Sequence, residues 1–258
     1  MILPEMRGGY LPLRNRNQKE KMKSLTRALA LLAMLPLALH AQQSPSSANT
    51  ATAPKRTDIY HVFIVKSALG KAKELQDWLK QPDPEHPNAK GIVLRHQDGD
   101  SWDYIAIEHM GPKATIDLKA TPMTPQQRLL IEWHGDTFVA GPSWSDFSKA
   151  LGLDDASKSA GAVYTVSDYR AAPGHRDELE KMLSGATPGD TASGAVLLAH
   201  IEGAPWNFLG IVRYDSWEKY AEGEKNSIAQ SNKNQGGWFE LRDHCALHHD
   251  TLTDRILP

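Results

Sequence analysis

Two kinds of hydrophobic spacing alternate along the chain, and the alternation occurs twice. The runs IYHVFIV from Ile59 and VYTVSDY from Val163 have the β-branched and aromatic content and the length of strands. Each is followed by a glycine, Gly70 or Gly174, and then by leucines at helical spacing: Leu75 with Leu79, and Leu179 with Met182 and Leu183. A loop holding Pro84 or Pro188 leads to GIVLRHQDGDSWDYIAIEH and AVLLAHIEGAPWNFLGIVR, each predicted to be two strands joined by a turn at Gly99 or Gly203. Thr124-Pro125-Gln126-Gln127 has a capping residue, proline at the first helical position and glutamine three after the cap, so a helix running into LLIEW is expected. Ser216 is placed to cap WEKYAEGE, and a further helical pattern passes through Trp238, Leu241 and Cys245. Both parts close on strand-like tails, DTFVAG and DTLTDRI.

The two parts are copies of one pattern. A shift of 104 residues aligns Ile59–His109 with Val163–Arg213 without a gap, and 13 of the 51 positions are identical. Strand–helix–strand–strand–helix–strand is the split βαβ, ferredoxin-like unit. The expected fold class is therefore α+β, with two tandem βαββαβ units at 58–155 and 156–258. Helices cover one face of each four-stranded sheet, and the other face, with Val62, Ile64, Val166 and Tyr104 or their alternates, needs a partner. Two sheets in one chain can cover each other. In this topology and repeat, residues 58–258 resemble the dimeric α/β-barrel superfamily. The resemblance implies facing sheets around a central cavity, formed as a pseudo-dimer within a monomer. It also implies chemistry known among such proteins: cofactor-independent monooxygenation, or haem-dependent and haem-degrading activity with a residue such as His248 as base or axial ligand.

The N-terminal region changes the charge and the compartment. From Met22 the chain has a basic start, an apolar stretch from Ala28 to Leu39 and small residues around Ala41, the pattern of a secretory signal peptide over 22–41. The stretch is shorter than the roughly 20 residues that span a membrane. Export to the periplasm or medium is expected, with no membrane attachment after cleavage. Residues 1–21 read as a mis-started or extended leading region, and 42–57 as a flexible leader without large apolar residues. Beyond residue 41 the chain holds 22 lysines and arginines against 29 aspartates and glutamates, with no basic stripe, which argues against nucleic acid as a partner. The single cysteine, Cys245, excludes an internal disulfide and reads as a packing residue.

Candidate chemistry centres on HHDTL at residues 248–252. His248 and Asp250 correspond to His134 and Asp136 in the first copy, Thr251 to Thr137, and His249 to a glycine. Recurrence at equivalent junctions between helix and strand favours a role in the fold, with these side chains capping backbone groups. The alternative is a catalytic His248–Asp250 pair, because a carboxylate beside a histidine fixes its tautomer. No third ligand stands at a recognisable spacing, so no metal site is assigned. His96 and His200 line one end of the barrel or lie on surface turns, and Trp102 and Trp206, which open the third strands, read as core residues or as the wall of a ligand cavity. His61, Arg95, Asp103 and His109 are expected to share one strand face and are replaced in the second half by Thr165, Ala199, Asn207 and Arg213; if interior, they would hold an anionic or oxygenated small molecule, and if exterior they are solvated. Nucleophile-elbow, P-loop, dinucleotide and C-x-x-C signatures are absent. Three functions remain open: a small-molecule binding protein, favoured because no catalytic constellation stands out; an enzyme of the kinds named above; and an interaction protein whose barrel is filled and whose function lies on its surface. No cofactor is predicted, and haem is the one the resemblance allows.

Overall fold

Along β1 (Asp58–Ser67), Tyr60, Val62 and Ile64 face one side and Phe63 and Val65 the other, and both sides are covered. The computed structural model describes residues 55–82, 89–113, 122–185 and 190–256. The expected signal peptide, most of the leader, Pro84 and Pro188 lie outside the described residues. After β1 come α1 (Ala72–Leu79), β2 (Lys90–Asp98), β3 (Tyr104–Pro112), α2 (Pro125–Arg128) and β4 (Ile131–Gly141). Two short helices, α3 (Trp144–Ala150) and α4 (Ala156–Ser159), lead into β5 (Val163–Ala171), α5 (Arg176–Gly185), β6 (Ala192–Glu202) and β7 (Phe208–Tyr214). The chain ends with α6 (Trp217–Ser231), α7 (Gly237–His244) and β8 (Cys245–Arg255).

The eight strands form a closed antiparallel barrel in the order β1-β3-β2-β8-β5-β7-β6-β4. Each set of four has the same internal order, and the sets join at two seams, β2 with β8 and β4 with β6. The registers also correspond. Tyr60 lies opposite His109 as Tyr164 lies opposite Arg213, and Val62 opposite Thr137 as Val166 opposite Thr251. Across the seams, His96 faces Thr253 as His200 faces Val139. Closure leaves no free strand edge in either set.

The alternate faces of the strands sort cleanly. Tyr60, Val62, Leu94, Ile105, Tyr164 and Leu198 belong to one buried cluster that draws on strands from both halves, which places them inside the barrel. Phe63, Val65 and Tyr104 face outward and bury Leu75 of α1, while Ala199, Phe208 and Cys245 bury Leu179 of α5. An eight-stranded barrel has an interior just wide enough for side chains to fill. Here they fill it, so the middle of the barrel, where the sequence suggested a ligand cavity, is occupied by the protein's own core. Tyr104 lies on the outer face, where its hydroxyl donates to the Ala72 carbonyl at 2.9 Å.

Three local expectations change. The Thr124 capping box forms, but α2 ends after four residues, and the LLIEW segment feeds an 11-residue strand instead. The β-branched and aromatic residues that follow favour pairing with β1 over helix continuation. Likewise Cys245 opens β8, with its thiol donating to the carbonyls of Leu247 and Arg170. Finally, α3 is a helix the periodicity did not indicate, with Ser143 capping it through the Asp146 amide. It closes an opening of the barrel: Phe147 stacks on Tyr60 at 4.7 Å, and the Tyr60 and Tyr164 hydroxyls donate to the Pro142 and Leu151 carbonyls.

Gly99 and Gly203 explain how the seams fit. Each turn lies against the last strand of the other half with positive φ, 120° and 103°. An added Cβ would come within 2.4 Å of the Asp250 carbonyl oxygen at Gly99 and 2.2 Å of the Asp136 carbonyl oxygen at Gly203. Gly203→Ala is expected to lower stability by roughly 2–4 kcal/mol through backbone strain and the lifted seam. Urea unfolding measures this, with Gly185→Ala, whose Cβ meets open space, as the control expected within about 0.5 kcal/mol.

Candidate functional site

The residues expected to share one face do not. Pairing sets Arg95 opposite Tyr104 and His61 opposite Glu108, so His61 and Arg95 point outward, whereas His109 lies opposite Tyr60 and points inward. Residue parity carries along a strand but not across a turn, and the turn between β2 and β3 shifts it. On the outer face, Arg95 forks onto Asp254 at 2.8 and 3.1 Å. His109 contacts Asp58 at 2.7 Å beside Trp144, and buried Arg213 pairs with Asp215. Burial alone would raise Asp58, but hydrogen bonds involving His109 and the Trp144 amide help to outweigh it and hold the carboxyl below its usual range. Asp103 and Asn207, unlike in charge, do the same work: a side-chain oxygen of each accepts from a backbone amide, Ser67 or Ala171, at 2.8 Å.

The paired histidines stay within their own halves. His96 meets Trp102 edge-on at 5.8 Å and His200 meets Trp206 at 5.5 Å, both tryptophans being core residues. Nε2 of His200 accepts from the Ala204 amide at 3.0 Å, which puts the ring proton on Nδ1, and burial lowers its basicity.

The two His–Asp pairs sit on the outer face, inside strands β4 and β8 rather than at helix ends. His134 and His61 both approach Asp136, at 3.2 and 2.8 Å. The Asp136 carboxyl is held low, first by the His61 hydrogen bond. In the second half Thr165 takes the place of His61, and Ser167 takes that of Phe63. Ser167 Oγ donates to Asp250 Oδ1 at 2.6 Å, and His248 Nε2 contacts Asp250 Oδ2 at 3.1 Å. Arg242, from the last turn of α7, meets His248 Nδ1 at 3.0 Å. A guanidinium can only donate, so Nδ1 is the acceptor and Nε2–H donates to Asp250. Tyr169 stacks on the His248 ring at 5.9 Å and an interplanar angle of 6°.

The setting of this chain differs from that of its first-half counterpart. The His248 side chain is 13% exposed and that of Asp250 56%, so the carboxylate is the accessible member. Over the same outer face run α6 and α7, neither of which buries a single residue. Gly223 brings α6 close to β6 and β7, where Tyr220 packs edge-on against Tyr214 at 5.4 Å. Glu224 is pushed up by partial burial and then by the negative charge of Asp250. Burial pushes the Tyr169 phenol to about 12, so it remains a donor at neutral pH. A half-exposed, hydrogen-bonded carboxylate with phenols around it is an arrangement that can meet a polar aromatic molecule and exchange a proton with it. A groove of about 530 Å³ between α1 and α2, lined by Lys71, Glu74, Trp78 and Gln126 among others, is the first half's nearest equivalent, and it gathers no such chain. Tyr214, Tyr220, Glu224 and Arg242 were not singled out in the sequence; their only signal was that the spacing between the copies grows from 104 residues to the 114 that separate Asp136 from Asp250, through ten extra residues in the second helical region of the second copy.

No protein-family model matches the chain. No curated protein matches it in sequence. Among solved structures, an anthrone oxidase-like protein has the same fold, with a TM-score of 0.53 at 13% identity over 80% of this chain and 93% of that one. A proposed monooxygenase from Lactobacillus acidophilus NCFM matches 77% of this chain and 94% of its own at 10% identity, with a TM-score of 0.48. The chain thus shares an α+β, antiparallel-barrel fold with the anthrone oxidase-like protein.

Asp136 gives a pH prediction. Its folded-state pKa lies below the unfolded value of about 3.9, so its contribution is present above that pH and is lost as pH falls through the folded value. Wild-type stability should therefore drop more steeply below pH ~4 than that of Asp136→Asn, as read by urea midpoints across the acid range.

Proposed function

We propose that the protein binds a planar, oxygenated aromatic compound on the outer face of its second half, beneath α6 and α7, and oxidises it with dioxygen without a cofactor. The observation that carries this reading is the chain Arg242–His248–Asp250–Ser167, in which the only well-exposed acceptor is the Asp250 carboxylate. Both ring nitrogens of His248 are engaged, so it offers no free nitrogen to a substrate proton or to a haem iron. It is a positioning residue, and Asp250 is the group that touches substrate. The likeness in fold to an anthrone oxidase-like protein supports a substrate with a methylene between two aromatic rings, acidified by conjugation through them to a ketone.

The step balances with one methylene group and one dioxygen molecule giving one carbonyl group and one water. Asp250 accepts a proton from the methylene, the electron pair left on carbon forms a C–O bond to dioxygen, the Asp250 proton returns to give a hydroperoxide, and cleavage of its O–O bond with loss of the second C–H proton releases water and leaves the new carbonyl. The oxygen of the intermediate enolate is placed to accept from a neighbouring phenol such as Tyr169, Tyr214 or Tyr220. The matching order and register of the two halves support a tandem duplication in which the second copy acquired the site and the first kept the fold. The sequence pattern of 22–41 supports export, with the mature chain supplying both halves of the barrel as a monomer.

Oxygen-electrode and absorbance assays with anthrone test the proposal. Equimolar consumption of anthrone and dioxygen is expected, with kcat/KM about 10²–10⁴-fold lower in Asp250→Asn, the range for losing a general base. Asp136→Asn should retain activity. Absence of turnover together with unchanged tryptophan fluorescence on anthrone addition would refute it.

A further inference from the structure

A second cluster lies at the β2–β8 seam on the inner side of the strands. Asp168 and His249 are opposite each other in the β5–β8 pairing, and Asp100 reaches them from the β2–β3 turn of the other half. His249 Nδ1 is 3.6 Å from Asp168 Oδ1 and 3.7 Å from Asp100 Oδ2, and the three ligand atoms all lie within 4.8 Å of one another. Around a tetrahedral zinc with bonds of about 2.0–2.1 Å, donor atoms stand about 3.4 Å apart, so His249 is within a few tenths of an ångström of that spacing to each carboxylate, and rotation of the two carboxylates toward each other would complete the set.

We infer that Asp100, Asp168 and His249 form a site for a divalent first-row metal ion, held by one imidazole and two carboxylates with water completing its shell. Three observations support a ligand over a structural pairing. First, the donors are already fixed: the His249 amide donates to Asp168 Oδ1 at 3.1 Å, and the Asp100 amide donates to Thr251 Oγ1 at 3.3 Å. The second bond is specific to this seam, because the equivalent amide, that of Ala204, donates to His200 within its own half. Second, no lysine or arginine pairs with either carboxylate among the described residues, so two negative charges share one histidine. Third, the other seam holds Ala204, Ile64 and Gly135 at the equivalent positions, so the fold does not require the cluster. The donor set, imidazole and carboxylate without thiolate, suits zinc, manganese or iron(II).

Isothermal titration of the untagged mature chain with zinc chloride at neutral pH tests this. One saturable site is expected, with affinity more than about tenfold weaker in both His249→Ala and Asp168→Asn, since losing a ligand costs at least what losing an outer partner does. His248→Ala and Asp136→Asn should bind as wild type. Zinc should also raise the melting temperature of the wild type and not that of Asp100→Asn, which guards against a variant that fails to fold. No saturable heat in the wild type, an unchanged isotherm in His249→Ala, or heat lost only in His248→Ala would each overturn the assignment.

Discussion

Barrel closure rests on backbone hydrogen bonding across two seams, where each half lends the end of its second strand to the last strand of the other. Neither four-stranded set has anywhere else to bury its inner face, and unpaired edge groups would be exposed without that exchange. Gly99 and Gly203 are the points at which the exchange is tightest, and the residues beneath them, Asp250 and Asp136, are those that carry the His–Asp pairs. The geometry of the chemistry therefore follows from the geometry of assembly.

The packed interior decides where function can lie. Tyr60, Tyr164, Ile105 and Leu198 are fully buried, and α3 stoppers an opening between the halves. What remains are the outer faces under helices and the polar margins at the seams. The first half uses its outer face mainly for packing against α1, whereas the second has Ser167 in place of Phe63 and is covered also by α6 and α7, which bury none of their residues fully. The same scaffold thus carries an apolar version and a polar version of one surface.

Much of the fold was legible because it follows short-range rules. Strand composition, helical leucines, turn glycines and the Ser216 and Thr124 caps all act within a few residues, and the repeat doubled each signal. The misjudged features depend on partners distant in sequence. IEWHGDTFVAG became a long strand because β1 was there to pair with it, and His61 and His109 separated because the turn after β2 reset the alternation. The Asp103–Asn207 difference looked like specialisation but preserves one acceptor oxygen. Conversely His249 looked ordinary beside His248, since Asp100 and Asp168 approach it only after the barrel has closed.

The linker that threads α3 into the barrel has a further consequence. In an assembly of two identical chains every substitution appears twice, so a residue useful in one copy must be tolerated in the other. A covalent joint removes that restriction and holds the partners at a concentration no dilution can lower. One half can then carry side chains that the other lacks while both keep the shape on which closure depends.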